Sequence, residues 1–167
     1  MRKIFIVLFG LFGALLAAQE SNSAYQPGEW LKFRLHYGIL NASYATLHVT
    51  SNTLDGIPVY HVVGVGKTTG FASIFFKVDD TYESYFGKKN GKPYRFVRKI
   101  NEGGYTKDVE INFDYENDVA TLNDKKNKKK LNFDLKGDVQ DLISAFYYLR
   151  NNYDPNKLVV GESIELD

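Results

Sequence analysis

From Trp30 to Tyr37 the side chains alternate, with Leu31, Phe33, Leu35 and Tyr37 on one side and Lys32, Arg34 and His36 on the other. Period two with one polar side predicts a half-buried β-strand. The rhythm returns as Ala45, Leu47 and Val49 set against Tyr44, Thr46, His48 and Thr50. It returns again as Val109, Ile111, Phe113 and Tyr115 set against Asp108, Glu110, Asn112 and Asp114. Val59 to Val65, Val78 to Phe86, Tyr94 to Asn101, Val119 to Leu122 and Lys130 to Leu135 complete a set of eight. Turn signals stand between them: Gly38 to Ser43, Asp55-Gly56, Gly87 to Pro93 and Gly103-Gly104. Asp-Gly suits a tight hairpin because glycine accepts positive φ. Strands joined by short connections pair antiparallel, so the pattern predicts a meander.

Two segments leave this rhythm. Between Asp138 and Arg150, the residues Val139, Leu142, Ile143, Phe146 and Leu149 repeat at helical spacing. Asp138 is placed to cap that helix, Asp141 adds a carboxylate to its first turn, and Arg150 complements the dipole at its end. A helix with one apolar stripe must lie on a sheet, covering a face or plugging an end. Gly70 to Phe76 is short and apolar, either one helical turn or a lid. Gly64 and Gly66, inside the third strand, predict a bend or a close backbone approach. The fold class expected is mainly β: an antiparallel meander forming a curved sheet, open barrel or sandwich, with one amphipathic helix (138–150) packed on it.

The leading residues read as an address. Arg2 and Lys3 precede an apolar stretch from Ile4 to Ala18, and small residues stand near Gln19. That is the layout of a secretory signal peptide, shorter than the roughly 20 apolar residues of a membrane-spanning helix. The expected organisation is a signal peptide over 1–18, a polar segment over 19–26 and a single β domain over 27–167. The chain stops within another alternating stretch, Ser163 to Asp167, so that domain is expected to be truncated at its C-terminal end. No cysteine is present, which leaves no disulfide, no thiolate metal site and no lipidated cysteine behind the leader. Export without cysteine fits a bacterial periplasm or outer surface. Without Arg2 and Lys3, 19 basic residues face 20 acidic ones, giving about −1 and no global basic field for nucleic acid. Twelve Tyr and twelve Phe favour strands, where flat rings pack on the pleat.

Pro27-Gly28-Glu29 leading into Leu31, Phe33 and Tyr37-Gly38, then Glu102-Gly103-Gly104-Tyr105 and Val109 to Asp114, form a recognisable series. Its most specific part is the helical stretch from Asp138 to Arg150. In these segments the chain resembles DUF3108, a family of exported bacterial proteins of unknown function. The resemblance covers nearly all of the chain after the leader. It implies an exported antiparallel β domain that continues past Asp167, and it brings no activity and no site residues.

The candidate chemistry is thin. His36, His48 and His61 fall near one level if the first turn centres on Ala42, and three imidazoles on one face would suit zinc or copper. The alternative is three polar-face residues on a solvated sheet, because a one-residue slip in register moves a side chain to the other face. Asp79, Asp80, Glu83, Glu102, Asp108 and Glu110 offer carboxylates, but no spacing among them selects the facing pair a glycosidase needs. Ser73 and Ser144 have no Gly-x-Ser-x-Gly elbow around them. The lysine run from Lys125 to Lys130 is a solvated hairpin tip or a polyanion site. Phe71, Ile74, Phe75 and Phe76 either fill the core beneath the helix or form the apolar wall or lid of a cavity.

The reading favoured is a non-enzymatic, exported envelope domain that binds an apolar or envelope-derived small molecule, or an envelope protein, on a concave sheet face. No cofactor, nucleic acid or membrane span after signal cleavage is expected. Its rivals are an envelope hydrolase using carboxylates or a histidine-bound metal, and a structural accessory that pairs through a strand edge.

Overall fold

The computed structural model describes residues 23–37 and 40–164; the expected leader and the final Glu165–Asp167 lie outside the described residues. Eight strands follow one another in a single antiparallel sheet, in chain order: β1 (Trp30–Tyr37), β2 (Leu40–Leu54), β3 (Ile57–Thr68), β4 (Asp79–Gly87), β5 (Pro93–Glu102), β6 (Tyr105–Asp114), β7 (Val119–Asp124) and β8 (Lys129–Asp134). The sheet does not close, so the expected meander takes its open form, with β1 and β8 at its edges. Asp55 and Gly56 both take positive φ, 50° and 84°, which lets β2 turn directly into β3. One short helix, α1 (Ala72–Phe75), interrupts the connection from β3 to β4. A second, α2 (Leu142–Asn152), follows the last strand.

Register sorts the alternating residues onto two faces. Val49 opposes Val62, Val62 opposes Ser84, Ser84 opposes Phe96 and Phe96 opposes Ile111, so all five share a face. By the two-residue period this face also carries Phe33, Leu35, Leu47, Tyr60, Tyr82, Phe86, Ile100 and Val109. The opposite face carries Lys32, Arg34, His48, His61, Glu83, Arg95, Lys99 and Glu110. The apolar face holds the core, in which Val49 and Val62 are fully buried and Phe86 nearly so.

α2 lies across the apolar face over β1 to β4. Its sheet-facing Ile143 and Tyr147 join Tyr25, Val49, Tyr60, Val62 and Phe86 in one buried cluster, and Phe146 meets Phe33 edge-on at 6.3 Å. The sequence placed this helix correctly but started it too early. Its cap is Asp141, whose Oδ1 accepts from the backbone N–H groups of Ile143 and Ser144, each at 2.8 Å. In return Ser144 Oγ accepts from the Asp141 N–H at 2.8 Å, closing a capping box. Asp138 stays outside and pairs with Lys92 at 2.5 Å. Of the two aspartates, only Asp141 has a hydroxyl three residues on, at Ser144, placed to complete the reciprocal bond. Ser163 and Ile164 are exposed and take no strand conformation.

Asp141 is buried, and its Oδ2 accepts from Ser84 Oγ at 2.6 Å. Burial raises its pKa above the usual carboxylate value, against the hydrogen bonds from Ser144, Ser84 and Ile143 that pull it down. An acid whose folded pKa is raised costs stability when ionised. Stability therefore falls as pH climbs from the ordinary aspartate range through the raised folded value, and is level above it. Asp141→Asn keeps an acceptor for both amides and removes the charge. Urea unfolding across pH should show it at least as stable as the parent at neutral pH, with the pH step flattened. Asp141→Ala, which leaves the cap donors and the Ser84 hydroxyl unpaired, should lose about 2–4 kcal/mol.

Candidate functional site

Gly64 and Gly66 are two residues apart on one strand and so point to the same, apolar face. Opposite them lie Leu47 and Ala45 on β2, and beside them Tyr82 on β4. Above them pass Leu142, Ile143 and Phe146 of α2, enclosing an apolar groove of about 230 Å³. The two glycines have different work. A Cβ at Gly64 would come within 3.0 Å of Leu47 Cδ2, closer than ordinary packing, and would meet Ile143 Cδ1 at an ordinary 3.5 Å, so its absence makes room for Leu47 beneath the helix. A Cβ at Gly66 would meet nothing within 4 Å, so its absence leaves open floor. Leu142, at the rim, is 68% exposed and presents hydrocarbon at the opening.

The far side of α2 carries a larger cleft of about 410 Å³. Its visible walls are Lys88, Lys89, Asn90, Tyr148, Asn151 and Asn152, and the rings at its base, Tyr25, Tyr60 and Phe86, are buried. This side offers amides and lysines, whereas the groove offers hydrocarbon.

The helix is fastened at both ends. Beyond the Asp141 cap, Arg150 donates from Nη1 to Glu29 Oε1 at 2.6 Å and from Nη2 to Glu29 Oε2 at 2.8 Å, and also to the Ala24 carbonyl at 3.0 Å. Its guanidinium lies 5.3–5.8 Å from the ring centres of Tyr25, Phe146 and Tyr147. The hydrogen bond to Glu29 raises the pKa of Arg150 further. Burial, reinforced by Tyr60, pushes the Tyr25 phenol up to about 12. These groups hold fixed charge states through the physiological range.

The residues singled out from the sequence are scattered. Phe71, Ile74, Phe75 and Phe76 neither fill the core beneath the helix nor line the groove. They stand 53–75% exposed on and around α1, at the end of the sheet. The three histidines are separated by register. The pairing of the first two strands is not centred near Ala42: Tyr37 opposes Leu40 and His36 opposes Asn41, while His48 opposes Trp30. His61 opposes Thr50 and bonds Glu83 through Nε2 at 2.9 Å while its ring stacks on Tyr85 at 4.0 Å. Among the described residues no group of three or more His, Asp or Glu side chains could hold a metal ion.

The carboxylates are also dispersed. Asp79 pairs with Lys67 at 3.2 Å, and Asp80 is buried and accepts from the Asn101 N–H at 2.9 Å. Glu83 and Glu110 lie on the polar face. Hydrogen bonds from Lys125 and Asn112 hold Glu110 below the usual carboxylate range, the opposite of what a general acid requires.

An open antiparallel meander with a helix laid across its apolar face, and an apolar groove kept at their junction, defines the structural class of the chain. The family model described as a protein of unknown function, DUF3108, matches residues 32–167. The chain belongs to the DUF3108 family. No curated protein and no solved structure matches it.

The sequence pointed to a bend or a close approach at these glycines but not to a groove. The legible signal was their spacing of two, which puts both on the helix side of the strand.

Proposed function

We propose that this chain is an exported, non-enzymatic domain of the bacterial envelope that binds the apolar part of an envelope-derived small molecule in the groove between α2 and β2–β4. One observation carries the reading: bare glycine floor at Gly66 faces exposed leucine at Leu142 across a groove lined by Ala45, Leu47, Tyr82 and Phe146. Binding sites for small molecules are concave and mainly apolar. At about 230 Å³ the groove suits one short hydrocarbon branch or chain end rather than a whole lipid. The leader-like segment from Met1 to Ala18 supports export, and the lack of cysteine fits a periplasmic or extracellular destination.

Native mass spectrometry of the protein purified from a bacterial envelope fraction, followed by organic extraction, tests the reading. A bound hydrophobic species is expected. Gly66→Leu should displace it without lowering the melting temperature, since the added side chain enters open space at ordinary backbone angles. Protein that carries no extractable molecule and takes up no added fatty acid would sink the proposal.

A further inference from the structure

Among the described residues the meander sets three connections along one rim of the sheet: α1 after β3, the turn at Gly103-Gly104 after β5, and the turn from Lys125 to Lys128 after β7. These are linked side by side. Val78, which follows α1, bridges to Glu102, and the Gly103 N–H donates to the Lys77 carbonyl at 2.8 Å. The Phe76 ring covers Gly103 so closely that a Cβ there would fall 2.6 Å from it. From the next turn Lys126 donates to the Thr106 carbonyl at 2.8 Å and lies 5.7 Å above the Tyr105 ring. The rim thus joins two motifs far apart in sequence, the apolar knob at Phe71 to Phe76 and the lysine run.

Their chemistry is complementary to one surface. Phe71, Ile74 and Phe75 are 64%, 75% and 73% exposed, and Tyr105, 59% exposed, stands between them and the lysines. Lys77, Lys126, Lys128 and Lys129 make no ion pair among the described residues, whereas Lys67 is paired with Asp79 and Lys125 with Glu110. Of the rim's other carboxylates, Asp124 accepts from the Asn127 N–H and side-chain amide at 3.0 and 2.7 Å and Glu102 precedes the central turn, so the four unpaired lysines still outnumber them. Apolar side chains ringed by a tyrosine and unpaired lysines match the order of a bilayer surface: hydrocarbon, interface, anionic headgroup.

We infer that this rim is a docking surface for an anionic lipid bilayer. The inference rests on the groove reading for its purpose, because Gly66 lies only three residues from Thr69, where β3 passes into the α1 connection, about 10 Å along the strand. A ligand leaving the bilayer at the rim meets the mouth of the groove next. The contact itself stands on the rim residues alone.

The test is partitioning of the purified protein onto vesicles of phosphatidylcholine with and without phosphatidylglycerol. A reporter variant, Trp30→Phe/Phe75→Trp, carries its one tryptophan on the knob, so it reads this rim and no other segment. Its emission should shift blue on anionic vesicles and be quenched by brominated lipid. Ile74→Ser/Phe75→Ser should lower partitioning at least about tenfold, since burying one such side chain is worth roughly that factor. Each of Lys126→Gln, Lys128→Gln and Lys129→Gln should lower it about fivefold at low salt, with the effect fading at high salt.

No blue shift on anionic vesicles overturns the inference, as does partitioning that all these variants leave unchanged. Binding to heparin or inorganic phosphate that matches vesicle binding and ignores Ile74→Ser/Phe75→Ser also overturns it, leaving a simple polyanion site. Gly66→Leu separates the two proposals: it should lose the ligand of the groove and still dock like the parent.

Discussion

Replacing Tyr147 by alanine is expected to remove about 3–5 kcal/mol of stability, the largest single effect in the chain. The ring is fully buried on the sheet side of α2, 4.6 Å from Tyr25 and 5.7 Å from Phe86 by ring centres, with Phe146 at 5.2 Å. Truncation leaves a ring-sized void between helix, sheet and N-terminal segment, and three aromatic neighbours lose an edge or a face at once. The hydroxyl contributes nothing comparable. It is buried beside the Glu29 carboxylate without a hydrogen bond of ordinary geometry, and burial, followed by that carboxylate, keeps it neutral well above the ordinary tyrosine range. Tyr147→Phe should therefore fold with stability equal to or slightly above the parent. Urea unfolding of the two variants measures the ring and the hydroxyl separately. A costly Tyr147→Phe would show that the hydroxyl is engaged after all.

A further large effect, comparable with that of Asp141→Ala, is expected at Arg150, where alanine should cost about 2–3 kcal/mol. The side chains of Arg150 and Glu29 are only 26% and 19% exposed, so this pair is screened far less than the surface pair Lys67–Asp79, at 55% and 46%. Losing the guanidinium strands Glu29 and uncovers three rings, and it frees the segment Ser23 to Glu29 from the helix. Arg150→Lys keeps the charge but not the fork, so it should recover less than half of the loss. The distinguishing measurement is salt dependence. The Arg150→Ala deficit should persist in high salt, whereas an equal loss that vanishes with salt would reduce the pair to a surface attraction. Amide exchange near Tyr25 should accelerate in the same variant, because Arg150 ties that segment to α2 through Glu29 and the Ala24 carbonyl.

Most of the sheet was legible in the chain because a half-buried strand writes its faces into the order of residues. Leu31, Phe33 and Leu35 alternate with cations, and the register keeps that alternation across most of the sheet, with shifts at Leu35/His36 and Tyr85/Phe86. Asp55-Gly56 marked its hairpin for a local reason as well. The helix was legible as a stripe but not in its first turn. Asp138 and Asp141 offer the same carboxylate, and the choice fell to the residue whose neighbours include Ser144 and, across the sheet, Ser84. The three histidines failed as a group because a hairpin whose turn moves by a few residues carries His36 and His48 away from each other. Linear spacing contains no measure of that displacement.

By itself, then, the sequence determined the order of the eight strands, the one long helix and the side of each strand that is apolar, though not the end of the pattern at Ser163. These follow from periodicities of two and 3.6 that act over a few residues. The tertiary structure alone decided what those surfaces enclose. Only when α2 crosses β1 to β4 do Gly64 and Gly66 become a tight contact and an open floor. Only the order of the meander brings Phe75 and Lys126, fifty-one positions apart, onto the same rim. Long-range juxtaposition depends on register and on where a helix comes to rest, and no local pattern encodes either.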